Sequence, residues 1–310
     1  MKARILVLGA SGYVGRRMVA ALANTDWAEP VAASRRSGRG VRQVDAVDAA
    51  SLSAALADVD GLVNCVAGAP ATIVANARAL RTAIETRSTP IPVVHFSSMA
   101  VYGSAAGRVD EQAELDAASP YGLAKQEAEQ LLAPLPTVTR LRPGCIYGAG
   151  SPQWSVRIAD LLRARRLGDL GAAGDGCSNL VHIDDVVHAA LGALRTPEAG
   201  GRAFNLAMAD APRWNEYFVA YARALGATPV QRIGARRLKL ETRVLAPALK
   251  LAEIGARKVG IRNLPPPVPP SLAHLWQQDI RLDSRRAEQT FGLAWTPWRA
   301  ALQAEANRPN

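Results

Sequence analysis

The stretch Arg4-Ile-Leu-Val-Leu-Gly9-Ala-Ser-Gly12-Tyr-Val-Gly15 decides the fold. Ile5 to Leu8 form a short apolar run that stops at glycine, as a buried parallel strand does. A helical pattern follows at once, with Val14, Met18, Ala21 and Leu22 on one face. Between the two, Gly9 permits a tight turn, Gly12 lets the backbone approach a pyrophosphate, and Gly15 lets the helix pack close to the sheet. The helix N-terminus adds free N–H groups and a positive dipole end. Ser11, Tyr13 and Val14 belong to the same stretch and join the glycines as candidate cofactor contacts.

Outward from this loop, short apolar strands alternate with helical stretches. Strands are expected at Pro30–Ser34, Gly61–Val66, Val93–Ser97 and Val138–Leu141, and helices at Leu52–Asp60, Ile73–Arg87 and Pro120–Leu132. That alternation implies a doubly wound parallel sheet with helices on both faces. Beyond residue 150 the pattern weakens. Trp154–Arg166 reads as helix, Leu180–Ile183 as strand, Asp184–Leu194 as helix, Ala203–Leu206 as strand and Trp214–Leu225 as helix. Pro265–Pro270 breaks any helix.

The chain has 310 residues, 49% hydrophobic and 21% charged, a globular composition. Its net charge of +10 is uneven. Residues 1–194 hold 19 basic and 18 acidic side chains, whereas residues 195–310 hold 18 and 9. Concentration of the excess in the C-terminal third, with nine basic residues in Arg232–Arg262 alone, argues against a nucleic-acid-coating protein. It hints instead at an anionic partner or substrate. Cys65, Cys145 and Cys177 are widely spaced and form neither a disulfide framework nor a metal knuckle, which fits a reducing cytoplasm. No long uncharged apolar run suggests a membrane span.

Two further constellations carry chemistry. The second strand ends in Ser34-Arg35-Arg36, where dehydrogenases that hold the ribose hydroxyls of NAD carry a carboxylate. Guanidinium groups suit a 2′-phosphate, so NADP(H) is favoured over NAD(H). Tyr121-Gly-Leu-Ala-Lys125 then opens a helix signalled by Ser119 as N-cap and Pro120 at the first helical position. Tyr121 and Lys125 share one face of that helix. A neighbouring ammonium stabilises a phenolate and suits the tyrosine to acid/base work. Ser97 and Ser98 end a strand at the carboxyl edge of the sheet, where open α/β folds bind ligands.

The GxxGxxG loop, the Ser98 and Tyr121–Lys125 pattern, Arg140-Leu-Arg-Pro-Gly-Cys-Ile-Tyr-Gly148, Asn179–Asp185 and Phe204-Asn-Leu206 together resemble the extended short-chain dehydrogenase/reductases of the epimerase/dehydratase type. The resemblance implies a Rossmann-like doubly wound parallel sheet with a smaller, mostly C-terminal substrate-capping domain. Residues 1–150, with 180–208 returning to them, would bind NAD(P), and 151–179 and 209–310 would form the cap. Ser98, Tyr121 and Lys125 would be the catalytic set. Asp45, Ala46, Cys65, Val66, Ala67, Ser97, Pro143, Cys145 and Ile146 would join the glycine loop and Ser34–Arg36 as cofactor contacts. Met99, Tyr147, Trp154, Arg157 and Trp214 are candidate substrate contacts with Ser98. Asn76 matches the family's helix asparagine. A homodimer through the helices running on from Asn76 and Pro120 is also implied.

Within that family, sugar dehydratases resemble one another in an Asp-Glu pair where this chain has Met99-Ala100, and sugar epimerases commonly carry Asn where Cys145 stands. Net ketone/alcohol redox chemistry with NADP(H) is therefore expected first, and nucleotide-sugar epimerisation second. A cofactor-sensing regulator without turnover is a third reading, opposed by the intact Ser98, Tyr121 and Lys125. His182, Asp184 and Asp185 suggest a metal or hydrolytic site, but no GxSxG elbow or ligand spacing accompanies them. They read as a strand-to-helix junction with Asp184 or Asp185 capping, and no metal is expected.

Overall fold

The computed structural model describes residues 1–246, 249 and 267–307. The rest of the basic stretch Arg232–Arg262 and the start of the proline run lie outside them. The chain divides into two units. The first comprises Met1–Gly144, Ile183–Ala209 and Leu282–Trp295; the second comprises Cys145–His182, Asp210–Arg281 and Thr296–Asn310. Leu282–Trp295, which the sequence reading put in the cap, thus belongs to the first unit.

In the first unit β1 (Ala3–Leu8), β2 (Ala28–Ser34), β3 (Arg42–Gln43), β4 (Gly61–Asn64) and β5 (Val93–Phe96) are followed by a short β6 (Gly107–Val109) and by β7 (Val138–Pro143). With Ala203–Leu206 as the last strand, the main sheet has seven strands in the order β3-β2-β1-β4-β5-β7-(203–206). Every recorded pairing in it is parallel. The winding direction reverses between β1 and β4, the switch point at which open α/β sheets bind ligands. The fold is Rossmann-like and doubly wound.

Helices α1 (Tyr13–Ala23), α2 (Ala49–Leu56), α3 (Pro70–Glu85) and α4 (Pro120–Leu132) fill the crossovers. The core on the face of α2, α3 and α4 contains Leu6, Leu8, Leu62, Val93, Leu80, Ala128 and Leu132, all essentially buried. Burial of these aliphatics, at about 25 cal/mol per Å² removed from water, is the main force holding helices to sheet. Asp48 caps α2 by accepting from Ser51 N at 2.7 Å, which starts that helix earlier than its apolar pattern suggests. β3, only two residues long, carries no periodic signal and was not expected.

In the second unit β8 (Cys145–Tyr147) runs parallel to β9 (Leu180–His182), Cys145 opposite Leu180. The helix expected over Trp154–Arg166 is split. A π-helical turn spans Pro152–Val156, started by Ser151 and Pro152, and α5 runs Arg157–Arg163. Trp214, Tyr217, Phe218 and Trp276 form an aromatic core with no exposed surface. Trp214 stacks on Phe218 at 5.6 Å and Phe218 meets Trp276 edge-on at 5.3 Å.

Candidate cofactor and active site

The glycine loop stands at the switch point. Gly9 adopts φ +71°, and a Cβ there would lie 2.9 Å from the carbonyl oxygen of Cys65, the residue after β4. A Cβ on Gly15 would collide with the Gly9 carbonyl. Helix α1 could not then sit so close to the strand end. Gly12 N donates back to Gly9 O at 2.9 Å and stands at the N-cap of α1 without a side-chain cap. No acidic residue occupies the first turn, so the positive end of the α1 dipole meets no carboxylate from its own helix and suits an anion. Ser11 and Gly12 are exposed, and Tyr13 and Val14 half-buried.

Arg35 and Arg36 are exposed beyond β2. Ser34 Oγ donates to Arg36 O at 2.6 Å and Gln43 Nε2 to Arg35 O at 3.3 Å, so the turn that presents the two guanidinium groups is tied down from both sides. Next to it, Asp45 accepts from Val47 N and its own N–H is held by Ser51 Oγ.

Two asparagines shape the loops named as cofactor contacts. Asn64 ends β4 and is fully buried. Its amide donates to Asn76 Oδ1 at 2.8 Å and to His95 Nδ1 at 3.0 Å, while its Oδ1 accepts from Val66 N at 3.3 Å. Asn76 in turn donates to Ala46 O at 2.7 Å. One buried chain therefore fixes both the Cys65–Ala67 and the Asp45–Ala46 loops. Since Nδ1 of His95 accepts, its proton sits on Nε2. Burial together with the Lys125 and Arg140 charges holds His95 well below its ordinary pKa, and so neutral. Sequence reasoning missed Asn64 and His95. The available signal was a polar residue closing the otherwise apolar Gly61-Leu-Val-Asn64.

Ser98, Tyr121 and Lys125 come together on this unit. Ser119 caps α4 by accepting from Gly122 N at 3.0 Å, with Pro120 in the first turn. Lys125 is buried and donates from Nζ to Phe96 O at 2.6 Å, with Nζ 6.0 Å from the Tyr121 ring centroid. Burial lowers the Lys125 pKa to about 8, against the opposing pull of Cys65 and Glu129. Tyr121 is 41% exposed as a residue. Ser98 hydrogen-bonds its phenol and favours the phenolate, but desolvation around the hydroxyl outweighs this and the phenol stays above its usual pKa. Lys125 gives one of its three N–H groups to the β5 backbone. Ser97 is buried, and Met99 begins the 3-10 turn Met99–Tyr102 that Ser98 opens by accepting from Ala100 N at 3.2 Å. Burial pushes the Cys65 thiol up to about 12, so it is neutral beside the loop. Pro143 ends β7 and is buried.

Cys145, Ile146, Tyr147, Trp154, Arg157 and Trp214 lie in the second unit. Cys145 is buried and Ile146 half-buried. Tyr147 and Trp214 have no exposed surface and pack as core, Tyr147 edge-on to His182 at 5.2 Å. They present no face to a substrate in this arrangement. Trp154 and Arg157 are half-buried, and Tyr217 Oη donates to Trp154 O at 2.6 Å. Asp184 and Asp185 stand inside the first turn of the helix Ile183–Arg195, rather than at its N-cap. No cluster of potential metal ligands exists among the described residues. No helix there is long and apolar enough to cross a membrane.

Among curated proteins the chain is 31% identical to Protein YeeZ of Escherichia coli (strain K12) over 141 residues, 45% of this chain and 48% of YeeZ. The chain thus spans about half the length of the curated relatives it matches. Among solved structures it is similar to the human epimerase family protein SDR39U1, determined with NADPH, at TM-score 0.76, 18% identity and coverage of 99% and 100% of the two chains. It is also similar to UDP-glucuronic acid 4-epimerase from Bacillus cereus, determined with UDP-glucuronic acid and NAD, at TM-score 0.73, 17% identity and 98% of each chain. At these identities the structures establish the shared fold. The profile of one sequence family, described as the NAD dependent epimerase/dehydratase family, matches residues 5–207. That match takes in the glycine loop, both ends of the buried asparagine chain and all of α4, and on it the chain belongs to the NAD dependent epimerase/dehydratase family.

Proposed function

We propose that the protein is an NADP(H)-dependent oxidoreductase that interconverts a ketone and a secondary alcohol, with Tyr121 as acid/base. The observation that carries this reading is the meeting of Ser98, Tyr121 and Lys125 on one face of the sheet's carboxyl edge. The nicotinamide cofactor fits the residues present. The glycine cradle leaves no room for a Cβ at Gly15, α1 has an uncapped N-terminus, and the turn after β2 offers two exposed arginines and no carboxylate. Gly9–Gly15 would hold the pyrophosphate, Arg35 and Arg36 the 2′-phosphate, and Asp45, Ala46 and Cys65–Ala67 the adenosine side. When bound, the cofactor supplies or accepts the hydride.

The chain's own groups do the rest. Ser98 holds the substrate oxygen, and Tyr121 gives that oxygen its proton as negative charge builds on it. The Lys125 ammonium, buried nearby, favours the phenolate that is left. In the reverse direction Tyr121 takes the proton back. The substrate is a small molecule, and the charge excess after residue 194 supports an anionic one. A cytoplasmic homodimer through α3 and α4 completes the reading, in keeping with Leu123 standing exposed on α4.

The test follows nicotinamide absorbance across a panel of neutral and anionic ketones, with Tyr121→Phe in parallel. Net oxidation of NADPH by the native chain, and loss of it in the variant with nucleotide binding intact, is the expected result. Two results would overturn it: turnover unchanged in Tyr121→Phe, or epimerisation of a nucleotide sugar without net absorbance change. The second would favour epimerase chemistry, the reading to which the family's description points.

A further inference from the structure

Arg142 on β7 touches both elements that carry the proposed acid/base groups. It is buried, and its Nε and Nη2 donate to the Glu129 carboxylate at 2.9 and 2.6 Å. Glu129 follows Lys125 by one helical turn and Tyr121 by two, so all three share a face of α4. On its other side, Arg142 Nη1 donates to Tyr102 Oη at 2.8 Å. Tyr102 closes the 3-10 turn that Ser98 opens. One guanidinium is therefore shared between the helix of Tyr121 and the turn of Ser98.

The surroundings leave little slack. Tyr102 Oη donates its own hydrogen to Asn205 Oδ1 at 2.7 Å, and Asn205 Nδ2 donates to Val109 O at 3.1 Å. The turn and α4 meet at Gly122, where a Cβ would lie 2.5 Å from Ala100 O, so no side chain separates them. A buried ion pair is weak ground for stability, because desolvation offsets much of its attraction. What a planar fork with fixed donors supplies is geometry.

We infer that Arg142 is a positioning residue: by clamping Glu129 and Tyr102 together it sets the approach of Ser98 to Tyr121, and with it how readily the Tyr121 phenol ionises. The inference gains its catalytic meaning from the proposed role of Tyr121, but its test requires no turnover.

Tyrosinate absorbance near 295 nm is followed as pH rises, each protein being measured against its own Tyr121→Phe counterpart so that only Tyr121 contributes. Ser98→Ala is expected to raise the Tyr121 midpoint. Tyr102→Phe removes one hydroxyl, leaves Arg142 Nη1 and Asn205 Oδ1 without that partner, and is expected to raise the midpoint by about half a pH unit or more, a roughly threefold change in proton affinity. Ser98→Ala should then add nothing further in the Tyr102→Phe background. Arg142→Lys, which keeps the charge and loses the fork, should behave as Tyr102→Phe does. If Arg142→Lys does not fold, Tyr102→Phe decides alone. A midpoint unmoved by Tyr102→Phe, with the Ser98→Ala effect still at full size, would overturn the inference even if the melting temperature fell. Such a result would leave the hydride-transfer reading standing, and a failed ketone panel would leave the titration standing.

Discussion

Lys125 is held in its charged form at neutral pH inside a site that penalises the charge. Its folded pKa of about 8 lies below the ordinary 10.5 because burial outweighs the attraction of Cys65 and Glu129. The sign follows from proton counts. Between those two values the unfolded chain binds the proton and the folded chain does not, so stability rises with pH there and the penalty is fully present below pH 8. Its size is on the order of 3 kcal/mol. Lys125→Met removes this titration. Denaturant unfolding of both proteins from pH 7 to about 10.5 should show the native chain gaining on the variant by that order. A constant gap would contradict the assignment. Tyr121→Phe belongs to the same scale. Turnover is expected to fall by about 10²- to 10⁴-fold with little change in nucleotide affinity, measured by steady-state kinetics beside a binding titration.

At the scale of elements, the strand–loop–helix unit and α4 carry the proposed site. Gly15→Ala would push its methyl into the Gly9 carbonyl and lift α1 from the strand end. A destabilisation of about 2–4 kcal/mol is expected in denaturant unfolding, with nucleotide binding lost. Ser119→Ala removes the cap of α4 and should cost about 1 kcal/mol. Both elements were legible because their signals are local: Gly9 to Gly15 sit within one turn of chain, and Ser119-Pro120 mark the helix start at its observed boundary. β3 was not legible, since two residues hold no periodicity. The Asn64–Asn76–His95 chain and the Arg142 clamp were also hidden. Their partners come from separate elements and meet only once the parallel sheet sets Asn64 opposite His95 and places β7 beside β5. Trp214 shows the converse, an aromatic suggested as a substrate contact that closes a core instead.

For the whole molecule, the charge imbalance now divides into parts. Several arginines of the basic C-terminal third are committed to ion pairs within their own unit, among them Arg232 with Asp169 at 2.6 Å and Arg285 with Asp283 at 2.7 Å. Arg236, Lys239 and Arg243 remain exposed. If these cations draw an anionic substrate to the protein, its KM should rise several-fold between about 50 and 500 mM salt, as screening shortens their reach, while the KM for a neutral ketone stays flat. Equal salt response for both would assign the excess to arginine-rich composition alone.

In the proposed reading the glycine cradle and the arginine pair form a site for a phosphorylated nicotinamide dinucleotide. Equilibrium titration of NADPH and NADH against the native chain and the Arg35→Ala/Arg36→Ala double variant tests it most directly. NADPH should bind at least about tenfold more tightly than NADH, a difference of roughly 1.4 kcal/mol, and the double variant should lose that preference while keeping its affinity for NADH. Equal affinities in the native chain, or a preference that survives removal of both arginines, would contradict it.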